Sequence, residues 1–240
     1  MEVAYANKTS NNIQSNCPAT SQALVPYDHN IPFQQFKTPT RSFQFAGQQL
    51  TILQQWDLLG VAAVVWDSAI VLSEFLEVNP EFVKNKNVIE LGAGTGLVGI
   101  VAALLGGDVT VTERQSALEN LCANVNANTA VCGNISLQAK KLDWTNNLSD
   151  SFVADYDLIV GADIIYIEET FPHLLKTLLY FTNRSGSVIL LSCKIRYSKD
   201  SKFLEQLKCH FETEQMFYDT ARGIHIFKAT RLSLGNKTLV

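Results

Sequence analysis

Val88-Ile89-Glu90-Leu91-Gly92-Ala93-Gly94-Thr95-Gly96-Leu97-Val98-Gly99-Ile100-Val101 holds an apolar run that reaches an acid, breaks into glycines at alternate positions and resumes as a second apolar run. A buried strand, a tight turn and a helix N-terminus satisfy that order, and together they bring backbone N–H groups against an anionic or nucleotide-like ligand. Gly94, Gly96 and Gly99 also spell G-x-G-x-x-G, the dinucleotide-binding spacing, which alone leaves the ligand open.

On either side of this stretch the pattern extends. Strands are predicted over 87–91, 108–113, 135–140, 157–161 and 187–193, with helices over 97–105, 116–128, 168–183 and 199–210. Alternation of this kind implies an α/β fold with a mostly parallel sheet and helices on both faces. Two closing strands, 212–218 and 224–230, meet around Arg222-Gly223 without a helix between them, which predicts an antiparallel hairpin at one edge. Upstream, 41–53 alternates apolar and polar residues around Ala46-Gly47 and predicts another hairpin. The apolar run 58–76 is too long for a strand and reads as a buried helix carrying Trp66. Residues 1–22, rich in Asn, Ser, Thr and Gln, cannot bury enough surface to offset their ordering entropy; a disordered tail is expected there and one domain over 23–240.

The totals narrow the classes. A chain of 240 residues, 47% of them hydrophobic, can bury a full core. A net charge of −4 and a pI near 5.6 supply no general basic field, so a nucleic-acid partner is not expected. Cys17, Cys122, Cys132, Cys193 and Cys209 are odd in number, scattered and never in C-x-x-C spacing, so neither a disulfide framework nor a zinc site is expected. His29, His173, His210 and His225 are isolated from one another and read as structural or surface residues, with no metal site. The start of the chain lacks a basic region followed by an apolar core, and no apolar run approaches the roughly 18 residues of a membrane span, so a soluble intracellular protein is expected.

In an open α/β sheet the ligand sits beyond the carboxyl ends of the strands. Glu113 ends the second predicted strand, 17 positions after Gly96, where a carboxylate can accept both hydroxyls of a ribose. After the third come Asp143, able to accept from an adenine amino group, and Trp144, able to cover the base; a Trp there serves equally well as a hydrophobic plug. The fourth runs into Gly161-Ala162-Asp163-Ile164-Ile165-Tyr166, and a buried Asp lacking a partner at the end of a core strand points to function.

These residues together resemble the seven-stranded S-adenosylmethionine-dependent methyltransferases. The likeness is closer over residues 24–227, through Leu24-Val25-Pro26-Tyr27, Gly60-Val61-Ala62-Ala63-Val64-Val65-Trp66-Asp67, the glycine turn, Leu142-Asp143-Trp144 and the Asp163-to-Tyr166 strand end. It is similar to the methyltransferase-like protein-lysine methyltransferases, above all those acting on seventy-kilodalton heat-shock chaperones. The resemblance implies a Rossmann-like seven-stranded sheet, mostly parallel with an antiparallel C-terminal hairpin, plus an N-terminal β-hairpin and helix. It also implies S-adenosyl-L-methionine as cofactor, a chaperone as protein substrate, a cytoplasmic location and a monomer. Cofactor contacts are implied for Trp66, Gly92, Ala93, Gly94, Glu113, Trp144 and Ala162. The family often carries Asp where this chain has Glu113.

Chemistry assigns the remaining roles. A lysine of reference pKa near 10.4 costs about 4 kcal/mol to present as a neutral amine at pH 7.4. A carboxylate is a poor base for that task, so Asp163 is expected to orient the amine or the methionyl end of the cofactor through hydrogen bonds, with Tyr166 bounding the lysine channel and able to contribute an oxygen contact. Related amide and nucleobase methyltransferases often carry N-P-P-Y here; Asp163 and two isoleucines point instead to a flexible aliphatic amine. Two other readings stay open on sequence. An NAD-dependent oxidoreductase would share the glycine fingerprint but lacks a placed proton donor, and a non-catalytic binding module would have no need of the Asp163 and Tyr166 pairing.

Overall fold

A computed structural model describes residues 34–232, apart from 134, 147, 149–151 and 153. The stretch expected to be disordered, 1–22, and the segment Leu24-Val25-Pro26-Tyr27 lie outside the described residues.

Seven strands form one sheet in the order β5-β4-β3-β6-β7-β9-β8. Five run parallel: β3 (Asn87–Glu90), β4 (Asp108–Glu113), β5 (Ser136–Lys141), β6 (Leu158–Ala162) and β7 (Val188–Cys193). β9 (Ile224–Arg231) lies antiparallel to both β7 and β8 (Phe211–Asp219), which gives the expected C-terminal hairpin. From β3 the chain builds outward through β4 and β5, then returns to the other flank of β3 with β6. That reversal opens a crevice beyond the carboxyl ends of β3 and β6, where ligands of such sheets bind.

Successive strand residues point to opposite faces, so a strand covered on both sides must be apolar throughout. β3 shows this in two adjacent residues. Val88 packs with Leu72 of α3 (Asp67–Val78), Val98 of α4 (Leu97–Leu104) and Leu121 of α5 (Gln115–Cys132). Ile89 faces the other way, toward Leu174 and Phe181 of α6 (Phe171–Phe181) and Phe203 of α7 (Ser198–Lys208).

Ahead of the sheet, a one-turn helix, α1 (Gln34–Lys37), leads into β1 (Thr40–Phe45) and β2 (Gln48–Leu53), which make the expected hairpin. Its two-residue turn puts Ala46 at φ 48° and Gly47 at φ 72°, the left-handed pair that matches the twist of antiparallel strands. Phe45, Leu50 and Ile52 press onto Leu97, Ile100 and Val101, tying the hairpin to the helix that follows the glycine turn.

The single helix expected over 58–76 is corrected. The chain makes a short helix, α2 (Trp56–Leu59), a 3₁₀ turn over Gly60–Ala63 and an extended stretch before α3 begins at Asp67, so Trp66 precedes that helix. Gly60 sits at φ 60°, which ends α2. The Val65 N–H then donates to the buried Gln54 side chain at 2.9 Å, and the Gln55 N–H donates to the Ala63 carbonyl at 2.9 Å. These bonds satisfy backbone groups that a continuous helix would have paired internally. Among the described residues, no single helix is long and apolar enough to cross a membrane.

Candidate active site

A cavity of about 240 Å³ opens at the carboxyl ends of β3, β4 and β6, roofed by the extended segment before α3. All ten residues given a role from the sequence line it: Trp66, Gly92, Ala93, Gly94, Glu113, Asp143, Trp144, Ala162, Asp163 and Tyr166.

The glycine turn forms the floor. Gly92 and Gly94 adopt φ values of 60° and 56°, strained for any side chain. Space is tight as well: a Cβ on Gly92 would lie 3.0 Å from Ile164 Cγ2, and on Gly94 3.1 Å from the Ala62 carbonyl oxygen, so either neighbour would have to give way. The bare backbone therefore leaves room that a Cβ would fill, the property required where a nucleotide-like ligand approaches the main chain.

Two glutamates stand behind this turn. Glu113 is 7% exposed; its Oε2 accepts the Gly94 N–H at 3.1 Å and its Oε1 the Arg114 N–H at 2.8 Å. Burial pushes its carboxyl upward while those two donors oppose the shift. Each oxygen keeps a further lone pair for a ligand hydroxyl. Glu90 is deeper, 2% exposed, with Oε2 accepting the Gly99 N–H at 2.8 Å. Burial pushes it up to about 8; the Gly99 bond opposes, and the neighbouring Glu113 charge adds to the rise.

Aromatic and apolar groups wall the cavity. The Trp66 indole N–H donates to the Val61 carbonyl at 2.9 Å, and the ring lies 5.1 Å from that of Phe36. The Trp144 ring edge lies over Gly92. Asp143 is partly engaged: its Oδ1 accepts both the backbone N–H and the hydroxyl of Thr145, at 3.0 and 2.7 Å, which lowers its pKa.

The β6 end holds the largest departure from expectation. Asp163 is not without a partner. Its two oxygens accept a bidentate pair of bonds from Arg196, at 3.0 and 2.9 Å, with side chains only 9% and 17% exposed. Asp163 itself takes a left-handed backbone at φ 54°. Sequence reading missed Arg196, and the signal available was positional. Ala162 pairs with Ser192, so the residues just past β6 and β7 emerge side by side. Tyr166 is mostly buried, which raises its phenol pKa, with the positive charge of Arg114 opposing. The Lys199 ammonium donates to its carbonyl at 2.6 Å. His173, assigned from sequence to structure or surface, lines the same side of the cavity with Thr170 and Ile167. Among the described residues no cluster of His, Cys, Asp and Glu could hold a metal ion, and Cys122, Cys132, Cys193 and Cys209 are free thiols.

An anion-tolerant backbone turn, two carboxylate oxygens with spare lone pairs, aromatic walls and a clamped Asp beside a phenol make a cavity suited to a nucleoside-bearing cofactor and a second, aliphatic reactant. Comparison with known proteins agrees. A family described as lysine methyltransferase matches residues 44–210. A zebrafish (Danio rerio) protein named protein N-lysine methyltransferase METTL21A is 48% identical over 211 residues, covering 87% of this chain and 96% of the relative. A mouse (Mus musculus) protein named EEF1A lysine methyltransferase 3 is 41% identical over 189 residues, covering 78% and 80%. Among solved structures, a T. thermophilus 16S rRNA N2 G1207 methyltransferase in complex with AdoMet and guanosine aligns with a TM-score of 0.57 at 19% identity, over 80% of this chain and 50% of that one, a likeness of fold.

Proposed function

The chain belongs to the lysine methyltransferase family, enzymes that move methyl groups from S-adenosyl-L-methionine to protein lysines, and on that premise we propose how its residues divide the reaction. The reading rests on co-location: the glycine turn with Glu113, Trp66, Trp144 and Ala162 shares one cavity with Asp163 and Tyr166.

S-adenosyl-L-methionine, when bound, supplies a methyl group activated by a sulfonium. The free lone pairs of Glu113 would hold its ribose hydroxyls. Asp143 and Trp144 would hold the adenine, by accepting from its amino group and by covering the ring. Gly92, Ala93 and Gly94 leave backbone open for the cofactor to approach, while Trp66 and Ala162 would bound its methionyl end. Aromatic faces also favour a sulfonium or methylated ammonium by about 1 kcal/mol each. Asp163 orients the incoming amine, and Tyr166 bounds the channel through which it enters. The apolar walls exclude water and would hold the acceptor amine desolvated and aligned.

For the acceptor we propose a seventy-kilodalton heat-shock chaperone, methylated in the cytoplasm by a monomeric enzyme that engages no nucleic acid. The motif resemblance across the glycine turn, the Trp66 segment and the Asp163-to-Tyr166 strand end supports the chaperone. The acidic balance of the chain supports the absence of nucleic acid. The test is to incubate the enzyme with methyl-labelled S-adenosyl-L-methionine and either purified chaperone or purified EEF1A, the protein for which the mouse relative is named. Label on a chaperone lysine, located by mass spectrometry, is expected. Label on EEF1A alone would overturn the acceptor and leave the activity standing.

A further inference from the structure

Arg196 leaves the loop after β7 and closes on Asp163 at the end of β6, in the wall where the acceptor amine is read to enter. Its own backbone is anchored: Asp200 Oδ2 at the N-terminus of α7 accepts the N–H of Arg196 at 2.8 Å and of Tyr197 at 2.9 Å. Burial disfavours its charge, but the hydrogen bonds and charge of Asp163, joined by Asp200, outweigh that and hold its pKa above the ordinary value.

We propose that Arg196 is a positioning residue that sets the charge felt by the acceptor: by occupying both oxygens of Asp163 it makes the carboxylate one half of a neutral pair, so that lysine reacts as a free amine instead of being held as an ammonium ion. This rests on the reading of Asp163 as the group facing that amine. A lone carboxylate in a largely buried wall would attract an ammonium and raise its pKa, stabilising the form that has no lone pair to attack with. A guanidinium does not titrate in any working range, so Arg196 keeps its charge against Asp163 wherever the enzyme acts. Oδ1 of Asp163 also accepts the Lys194 N–H at 3.4 Å, and Oδ2 keeps a second lone pair with which Asp163 retains its orienting role.

The step balances without another group. An ammonium first releases a proton to solvent. The nitrogen lone pair then forms the N–C bond as the C–S bond breaks, its electrons returning to sulfur. Other charged or titratable groups around the pair are Asp200 and Lys199 from α7, Cys193 from β7, Lys194 after β7, Tyr166 after β6, His173 from α6, and Glu113 and Arg114 from the end of β4. None of these offers the fork that satisfies both carboxylate oxygens at once.

The pH dependence of kcat, at saturating cofactor and chaperone, tests the proposal, because its rising limb reports deprotonation of bound lysine. Arg196→Gln is expected to move that limb about one pH unit higher, so kcat falls about tenfold at a fixed pH on the limb. Arg196→Lys should shift it less, and Asp163→Asn/Arg196→Gln should bring it back to the wild-type position. Calorimetric affinity for S-adenosyl-L-methionine should stay the same in all three. A folded, cofactor-binding Arg196→Gln enzyme with an unmoved limb would overturn the proposal, as would a double variant that remains shifted like the single. Should Arg196→Gln fail to fold, Asp163→Asn decides: it leaves the Arg196 charge uncompensated and is expected to move the limb to lower pH, and a limb unmoved from wild type overturns the proposal. A wild-type enzyme that transfers no methyl group would overturn the functional reading and this proposal with it.

Discussion

Glu90 sits where a charge is hardest to keep. Its carboxyl, 2% exposed with its pKa near 8, has one bond from the Gly99 N–H to offset burial and the charge of Glu113 nearby. The folded pKa lies above the ordinary unfolded value of about 4.3, so the folded chain binds the extra proton between those two values. Stability from this group is therefore fully present below about pH 4.3 and is lost as pH rises toward 8. Glu90→Gln keeps an oxygen for Gly99 and cannot ionise. Its melting temperature, measured by calorimetry without cofactor, should match wild type near pH 4 and exceed it near pH 8.5. Equal pH profiles for the two proteins would place the Glu90 pKa in the ordinary range.

Gly99 shows how a single missing side chain sets the distance between helix and sheet. A Cβ there would overlap Val111 of β4 and lie 2.8 Å from Glu90 Oε2, on the acid that binds the Gly99 N–H. Alanine gains about 1 kcal/mol in helix propensity over glycine, but overpacking costs about 1–3 kcal/mol and also crowds a buried carboxyl. Sterics should win: Gly99→Ala is expected to lower unfolding free energy in denaturant titration, whereas a gain would mean that α4 can lift from β4 freely.

At the level of elements, the N-terminal hairpin is held by a device that hydrophobicity does not display. The outer edge of β2 is sealed by two side-chain amides of α5. Asn124 accepts the Leu53 N–H at 2.7 Å and donates to its carbonyl at 3.1 Å. Asn128 does the same for Thr51, at 3.0 Å in both directions. The two asparagines stand in for a neighbouring strand and cover an edge that would otherwise be open to pairing. Replacing either with Ala leaves part-buried backbone groups unpaired, at about 1–3 kcal/mol each. Hydrogen exchange should show lost protection at Thr51 and Leu53 while the β3 amides stay protected. Unchanged exchange at both residues would show that packing of Leu50 and Ile52 suffices.

Elements were legible in the sequence where one pattern applied without competition. β4 falls on the predicted residues because its apolar alternation ends cleanly in Glu113, and the β8–β9 hairpin follows from Arg222-Gly223. The segment before α3 was not legible, since Gly60 to Trp66 is apolar throughout and no period separates a helix from a packed, extended turn. Its break depends on Gln54 reaching Val65, a contact between segments. The site divides in the same way. Residues placed by local chemistry, the glycine turn, Glu113 and Trp144, could be named in advance. Arg196, 33 positions from Asp163, carries no local pattern and gains meaning only once β6 and β7 lie side by side.

Across the whole molecule, the reversal of strand order between β3 and β6 brings the two halves of the reaction together. The glycine turn and Glu113 come from β3 and β4, on one side of that reversal, and Asp163 and Tyr166 from β6 on the other. Helices on both faces keep the sheet rigid, so the crevice is set by topology and not by loop length. A donor site on one half and an acceptor site on the other should separate under mutation: one set of residues governs cofactor affinity, the other turnover.

The most direct test of that division is a paired measurement, titration calorimetry with S-adenosyl-L-methionine and labelled methyl transfer to a protein lysine, on Glu113→Ala and Tyr166→Phe. The account predicts that Glu113→Ala loses at least about tenfold in cofactor affinity, the loss of hydrogen bonds to a charged group. Tyr166→Phe should bind the cofactor as wild type does yet turn over at least several-fold more slowly. Wild-type cofactor affinity in Glu113→Ala, together with wild-type turnover in Tyr166→Phe, would contradict it.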